Sequence, residues 1–170
     1  MSEVVKVDGA RVGVLMGSAS DWPTMEKCSQ TLAKLGVTHE CNVISAHRAA
    51  KRLEAYCATA PERGVQVLIC AAGGAAHLAG VAAAMTHIPV LGCPMNAWST
   101  DGLDSLLSMA QMPKGIPVGT LAVGSAGAIN AALLAVSILS LNDSELNDRY
   151  LAFRADQSAA TFALEGAPGH

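Results

Sequence analysis

Short apolar runs recur along the chain, separated by longer segments in which apolar positions follow a helical period. Continuous apolar runs bounded by turn residues are typical of strands that are buried on both faces of a parallel sheet. The runs predict five strands, at residues 11–16, 39–45, 66–71, 88–92 and 118–123. The segments that follow these strands predict helices that end near residues 35, 62, 85, 110 and 141.

The regular alternation of strand and helix predicts the fold class. Parallel strands need crossover connections, and helical crossovers cover both faces of the sheet. We therefore predict an α/β protein. Its architecture is a three-layer αβα sandwich, flavodoxin-like or Rossmann-like, with a parallel five-stranded sheet.

The segment after residue 142 has a different pattern. Asn142 can cap a helix, and Glu145 follows three residues later. Leu146, Tyr150 and Phe153 then fall on one helical face. Because the sandwich is complete without this helix, we predict a catalytic domain over 1–142. Residues 143–170 then form a C-terminal helical extension that packs on a neighbouring subunit.

The composition agrees with an oligomer. Hydrophobic residues make up 51% of the chain and charged residues only 15%, against about 25% charged in a typical soluble domain. The net charge is −3 without a cluster of Lys or Arg, which argues against nucleic acid as a partner. No apolar stretch is long enough for a membrane span, and the N-terminus lacks a signal-peptide pattern, so we expect a cytoplasmic protein.

The cysteines and histidines do not predict a metal site. The five cysteines are widely spaced and form no C-x-x-C motif, which favours reduced, mostly buried thiols over a thiol nucleophile. The histidines lack a ligand spacing such as H-x-x-x-H. We therefore expect no bound metal.

Polar or glycine-rich stretches follow the first three predicted strands. Ligands of α/β proteins bind beyond the carboxyl ends of the strands, so we expect these stretches to form one site for a small anionic molecule. The candidate residues are Ser18, Ser20 and Asp21 after the first strand, Ser45, His47 and Arg48 after the second, and Gly73, Gly74, Ala75 and His77 after the third.

The first stretch suits a phosphorylated ribose. A helix N-terminus with Ser18 and Ser20 offers N–H and hydroxyl donors to a phosphate, and Asp21 can accept hydrogen bonds from a ribose diol. The stretch is neither a Walker loop nor a full G-x-G-x-x-G motif, which disfavours a nucleoside triphosphate or a dinucleotide. The alternative is a tight turn with ordinary helix caps.

The other two stretches add charge and proton chemistry. The planar, permanently charged guanidinium of Arg48 suits a phosphate, and His47 can give and take a proton near neutral pH. Gly73 and Gly74 leave room for a flat ligand or a carboxylate beside the backbone. His77 either orients that group or caps the helix. The alternative for His47 and Arg48 is a surface loop without a catalytic role.

Six stretches in order along the chain resemble the signature stretches of the PurE family. The forms at 45–48 and 72–77 are similar to the class I enzymes, which are N5-carboxyaminoimidazole ribonucleotide mutases. Class II relatives, which carboxylate aminoimidazole ribonucleotide with CO2 directly, differ in both. The six stretches are residues 16–22, 45–48, 72–78, 102–108, 111–118 and 130–135.

This resemblance implies a flavodoxin-like subunit in a homo-octamer, with sites at subunit junctions and C-terminal helices that reach across to neighbours. It implies a ribonucleotide substrate, no cofactor and no metal. The reaction it implies moves a carboxylate from the exocyclic nitrogen to carbon 4 of the imidazole in de novo purine biosynthesis, with His47 as general acid and base.

The remaining roles also follow from the resemblance. Arg48, Ser18 and Ser20 would hold the ribose 5-phosphate and Asp21 the ribose hydroxyls. The backbone of Gly73 and Gly74 would hold CO2 beside the ring, and Ala75 would also contact the substrate. Ser45 and His77 would line the base end of the site.

The chain departs from the family pattern at three places. Ala49-Ala50 replaces Thr-Pro, Ala79 replaces Pro, and Ala97, followed by Trp98, replaces Ser. Loss of two prolines predicts looser loops near Arg48 and His77. Direct carboxylation and a non-catalytic flavodoxin-like binder stay open as alternatives, although only six aromatic residues are available to stack on a flavin.

Overall fold

The computed structural model describes residues 4–97 and 100–160, so Trp98 and the tail 161–170 lie outside the described residues. Five strands form one sheet of order β2-β1-β3-β4-β5, and all four pairings are parallel. The predicted flavodoxin-like sandwich is confirmed. The strands are β1 Val12–Met16, β2 His39–Val43, β3 Val67–Ala72, β4 Val90–Pro94 and β5 Gly119–Thr120.

The strands β1 to β4 lie within two residues of their predicted bounds, whereas β5 is four residues shorter than predicted. The prediction for β4 began at residue 88, but pairing begins at Val90, because Pro89 has no N–H to donate to the ladder. The prediction for β5 covered 118–123, but only Gly119 and Thr120 pair, with Leu91 and Gly92. The length predicted from the apolar run was therefore too long for this edge strand.

Among the described residues, five helices pack on the two faces of the sheet and a sixth packs on the fifth helix. The second helix ends at Thr59 rather than near residue 62, since Pro61 starts a separate 3-10 turn that Gly64 closes at φ 92°. The last helix is capped by Asp143, whose carboxylate accepts from Leu146 N at 3.0 Å, rather than by Asn142. The helices are α1 Trp22–Lys34, α2 Ala50–Thr59, α3 His77–Met85, α4 Leu103–Ala110, α5 Ser125–Ser140 and α6 Ser144–Ala159.

Alternate side chains of each strand enter two separate hydrophobic clusters. Val14 and Ile69 point towards α1 and α5, whereas Leu15 and Leu68 point towards α2 and α3. Four of the five cysteines are buried, as predicted, and all five are free thiols. Burial raises the pKa of the Cys57 thiol to about 11, which disfavours the nucleophilic thiolate at neutral pH.

The last helix packs partly on its own subunit. Leu146 is fully buried in the cluster beneath α1 and α5, and Tyr150 and Phe153 pack half-buried against that cluster. An ion pair of 2.6 Å joins Arg11 to Asp143, and Arg149 Nε donates to the Leu35 carbonyl at 3.0 Å. Packing of the rest of this segment on a neighbour stays a prediction.

A buried polar cluster on the edge strand β2 has no counterpart among the predicted features. Glu40 is only 1% exposed. Its carboxylate accepts from both terminal nitrogens of Arg63 at 2.8 and 2.9 Å, from Tyr56 Oη at 2.7 Å and from Val7 N at 2.9 Å. Asn42, next along the same face, exchanges two hydrogen bonds with the backbone of Val5. These hydrogen bonds hold residues 5–7 against the side chains of β2.

The contacts of Glu40 also determine the direction in which the pKa of its carboxyl group is shifted. Burial alone would raise the pKa of this carboxyl, but the hydrogen bonds from Arg63, Tyr56 and Val7 N outweigh burial and hold the pKa below its ordinary value. A depressed carboxyl pKa stabilises the fold above the unfolded-state pKa. That stability is lost as the pH falls through the folded-state pKa.

We expect Glu40→Gln to lower the free energy of unfolding by about 3 kcal/mol at pH 7, because the half-buried Arg63 loses the buried carboxylate with which it pairs. The difference from wild type should shrink as the pH falls below about 4, the ordinary range of a glutamate. Urea unfolding at several pH values measures both. Glu62→Gln, at an exposed position nearby, is the matched control, and equal stability of both variants at pH 7 would contradict the role of Glu40.

No helix among residues 4–97 and 100–160 has the length and apolar character needed to cross a membrane.

Candidate active site

The register of the sheet brings the three predicted loops together. Met16, the last residue of β1, pairs with Val43 on one side and with Ala71 on the other. The three loops therefore leave the same edge of the sheet and enclose one cleft of about 490 Å³. Nine of the ten predicted site residues line this cleft: Ser18, Ser20, Asp21, Ser45, His47, Arg48, Gly73, Ala75 and His77.

Gly74 is the predicted residue that does not line the cleft. It is buried and has φ 65°, a left-handed conformation that glycine adopts without strain. Gly74 allows the chain to turn between β3 and α3. Gly73 does reach the cleft, and a Cβ built on it would lie 2.7 Å from Ala97 Cβ. Any side chain at position 73 would force Ala97, which also lines the cleft, to move.

The first loop folds on itself through its own polar groups. Ser18 Oγ accepts from Ser20 N at 3.3 Å and lies 2.8 Å from Ser20 Oγ, while the Asp21 carboxylate accepts from Ser18 N at 3.2 Å. Burial raises the pKa of Asp21, and the bond from Ser18 N offsets only part of this rise. Asp21 therefore gains from further donors, such as the hydroxyl groups of a ligand.

The second loop is closed by Ser45. The Ser45 carbonyl accepts from Ala49 N at 2.9 Å, and its Oγ accepts from Arg48 N at 3.3 Å. These bonds close the turn at the place where the family pattern has Thr-Pro and this chain has Ala49-Ala50. The expected loosening of this loop is a prediction that the contacts do not test.

Arg48 carries an unneutralised charge at the mouth of the cleft. Its side chain donates to Ser45 Oγ and to the Gly17 carbonyl, each at 3.4 Å. The ion pairs among the described residues are Arg11–Asp143 and Arg63–Glu40, so no carboxylate there neutralises Arg48. An anionic ligand is the natural partner for such a guanidinium.

The two candidate histidines meet. His47 Nε2 lies 2.6 Å from His77 Nδ1, and the rings are perpendicular, with centroids 4.8 Å apart. One nitrogen must donate and the other accept, so the bond forms when one proton lies between them. Both side chains are exposed to the cleft. The pair can hold a proton beside a bound ligand and pass it on.

Two neighbours of the third loop were not among the candidate residues. Ala97 closes the space above Gly73, and Ser108 on α4 donates from Oγ to the Ala75 carbonyl. Ala97 is one of the departures from the family pattern, and Ser108 ends the signature stretch 102–108. The sequence of these stretches does not indicate what either side chain contacts. Among the described residues, no three His, Cys, Asp or Glu side chains are grouped closely enough to hold a metal ion.

The cleft thus combines a cation and two hydroxyls, a carboxylate that favours further donors, a small-residue wall and a proton-sharing imidazole pair. Such a set can hold a phosphate, hydroxyl groups and a flat ring. It can also perform acid and base chemistry on that ring.

Comparison with known proteins shows which proteins this chain is similar to. The model of the AIR carboxylase family matches residues 11–160. The N5-carboxyaminoimidazole ribonucleotide mutase of Vibrio vulnificus is 52% identical over 153 residues, which cover 90% of this chain and 95% of the relative. The enzyme of that name from Escherichia coli K12 is 51% identical over 149 residues, 88% of each chain.

A solved structure shares the fold as well. The crystal structure of Treponema denticola PurE superposes with a TM-score of 0.80 and 28% sequence identity, covering 87% of this chain and 91% of the other. Because the family model covers most of the chain and the curated relatives match at about half of all positions, this chain belongs to the AIR carboxylase family.

Proposed function

We propose that this protein is an N5-carboxyaminoimidazole ribonucleotide mutase, an isomerase of purine biosynthesis. It converts N5-carboxyaminoimidazole ribonucleotide to the isomer that carries the carboxylate on carbon 4. The similarity to mutases of this name supports the activity. The observation that carries the chemistry is the His47–His77 pair, which faces the same cleft as the unneutralised Arg48.

The substrate binds through its phosphate and ribose. Arg48 takes the 5-phosphate, and the hydroxyls of Ser18 and Ser20, which now bond each other, turn to donate to it. Asp21 accepts from the ribose hydroxyls. These bonds favour its ionised form and offset the effect of burial on its pKa.

The imidazole ring lies towards the third loop. Gly73 and Ala75 present a wall without bulk, against which a flat ring and a carboxylate can lie close to backbone N–H groups. Ser45 and His77 border this end of the cleft. Holding the carboxylate and later CO2 beside carbon 4 is an orientation effect of the kind that accelerates intramolecular steps.

His47 carries the proton in both halves of the reaction. As the bond between N5 and the carboxylate carbon breaks, its electron pair stays on N5, and the His47 imidazolium protonates that nitrogen as CO2 is released. Carbon 4 then attacks CO2 and forms the new carbon–carbon bond. Neutral His47 removes the carbon 4 proton, so the imidazolium is restored and no net proton is consumed.

We also propose that the protein forms a homo-octamer with sites at subunit junctions. Leu103 and Leu107 form an exposed apolar pair on α4, at 57% and 47% exposure. A groove of about 450 Å³ between α5 and α6 is lined by Leu133, Tyr150 and Phe153, among others. Such surfaces suit subunit contacts, including contact with the C-terminal extension. Five free thiols suit the reducing cytoplasm, where we place the enzyme.

Light scattering should give a mass eight times that of the 17.3 kDa subunit. Replacing Leu103 and Leu107 together by Asp should lower this mass, because a subunit contact would bury unpaired charge. A monomeric or dimeric wild type would contradict the octamer.

The mutase should convert N5-carboxylated substrate at the same rate with and without added bicarbonate, because its CO2 never leaves the site. A chelator should not change this rate, since the proposed steps use no metal. The assay follows the carbon 4 carboxylated product in degassed buffer, with uncarboxylated aminoimidazole ribonucleotide as the matched control substrate. Direct carboxylation would be favoured if the enzyme turned over the control substrate at a rate that rises with bicarbonate and did not turn over the N5-carboxylated substrate.

A further inference from the structure

We propose that Ser108 of α4 is a positioning residue that sets the geometry of the His47–His77 pair. Ser108 does not line the cleft. It contacts the loop that leads into His77, where its Oγ donates to the Ala75 carbonyl. The inference rests on the proposed mutase function, and it names a residue outside the cleft that this function requires.

The peptide unit between Ala75 and Ala76 is held at both ends. Its carbonyl accepts from Ser108 Oγ, and its N–H donates to the Gly73 carbonyl at 3.2 Å. Together these bonds fix the plane of the peptide. A peptide that keeps only one of them can rotate more easily about its long axis.

The fixed plane forces a strained residue next to it. Ala76 has φ 45° and ψ 40°, a left-handed conformation that is unfavourable for a residue with a Cβ. Such strain persists only where the surroundings impose it. Rotation of the 75–76 peptide would change φ of Ala76 directly and would relieve the strain. The Ser108 hydrogen bond opposes this relaxation.

His77 follows Ala76 and is the first residue of α3. Its Nδ1 lies 2.6 Å from His47 Nε2, so a change at Ala76 reaches the imidazole pair through one residue. The phosphate-binding candidates lie on the other two loops and do not depend on this peptide. Loss of the Ser108 hydroxyl should therefore impair proton transfer more than substrate binding.

The α4 helix can fix the position of this loop because a second serine fixes the helix itself. Ser105, one turn before Ser108, is fully buried and donates to the Met95 and Gly102 carbonyls at 2.8 and 2.9 Å. Met95 N in turn donates to the Ala72 carbonyl at 2.9 Å. The helix is thus fixed to the strand end that precedes the loop and to the loop itself.

The test compares Ser108→Thr with Ser108→Val, two side chains of nearly equal shape that differ by a hydroxyl. The Val variant should lose kcat by about tenfold or more relative to the Thr variant, the scale expected for misplaced reacting groups. KM should stay within about twofold, and the thermal midpoints of the two variants should agree. Equal kcat in the two variants, or a parallel loss of kcat and thermal stability, would overturn the proposal.

Crystal structures of the two ligand-free variants give an answer that does not need activity. In Ser108→Val the 75–76 peptide should be rotated and the hydrogen bond between His47 and His77 broken, whereas Ser108→Thr should keep both as in the wild type. An unrotated peptide and an intact imidazole pair in the Val variant would refute the positioning role, even if the wild-type protein fails to turn over N5-carboxyaminoimidazole ribonucleotide. That failure would count against the proposed function alone.

Discussion

The parallel register of the three strands β2, β1 and β3 is the constraint on which the site depends. Met16 pairs with Val43 and Ala71, so three loops that are distant in sequence leave the sheet at one edge. Apolar side chains on both faces of the sheet fix this register. If a strand slipped by one residue, Val14 and Leu15 would each point to the opposite face and leave the hydrophobic cluster in which they are buried. The core thus determines which polar side chains can meet.

Within the cleft, small residues let backbone and imidazole groups come close. Ala97 leaves no room for a Cβ at position 73, so only glycine fits there. Ala76 has a strained backbone conformation just before His77. The burial that raises the pKa of Asp21 and the unneutralised charge of Arg48 both represent costs in the free protein. A ligand with hydroxyls and a phosphate relieves both, which links substrate recognition to the electrostatics of the free site.

The fold and most cleft residues could be predicted because they depend on local pattern and on the general geometry of parallel sheets. Strand β5 could not, since residues 118–123 form a mostly apolar run but only Gly119 and Thr120 form ladder pairs, and beyond them Leu121 N donates to the Gly92 carbonyl. The bond between His47 and His77 joins loops 30 residues apart, and its geometry depends on the conformation of Ala76. Glu40 was missed because its partner Arg63 is 23 residues away and neither residue shows a motif.

Turnover of N5-carboxyaminoimidazole ribonucleotide by wild type and His47→Asn, with substrate binding measured in parallel, tests the central claim most directly. Asparagine keeps a polar group of similar reach but cannot exchange a proton near neutral pH. Loss of turnover with binding retained is the expected result, because Arg48 and the first loop hold the phosphate and ribose. Equal turnover in both proteins would show that His47 does not carry the proton, and would contradict the proposed mechanism.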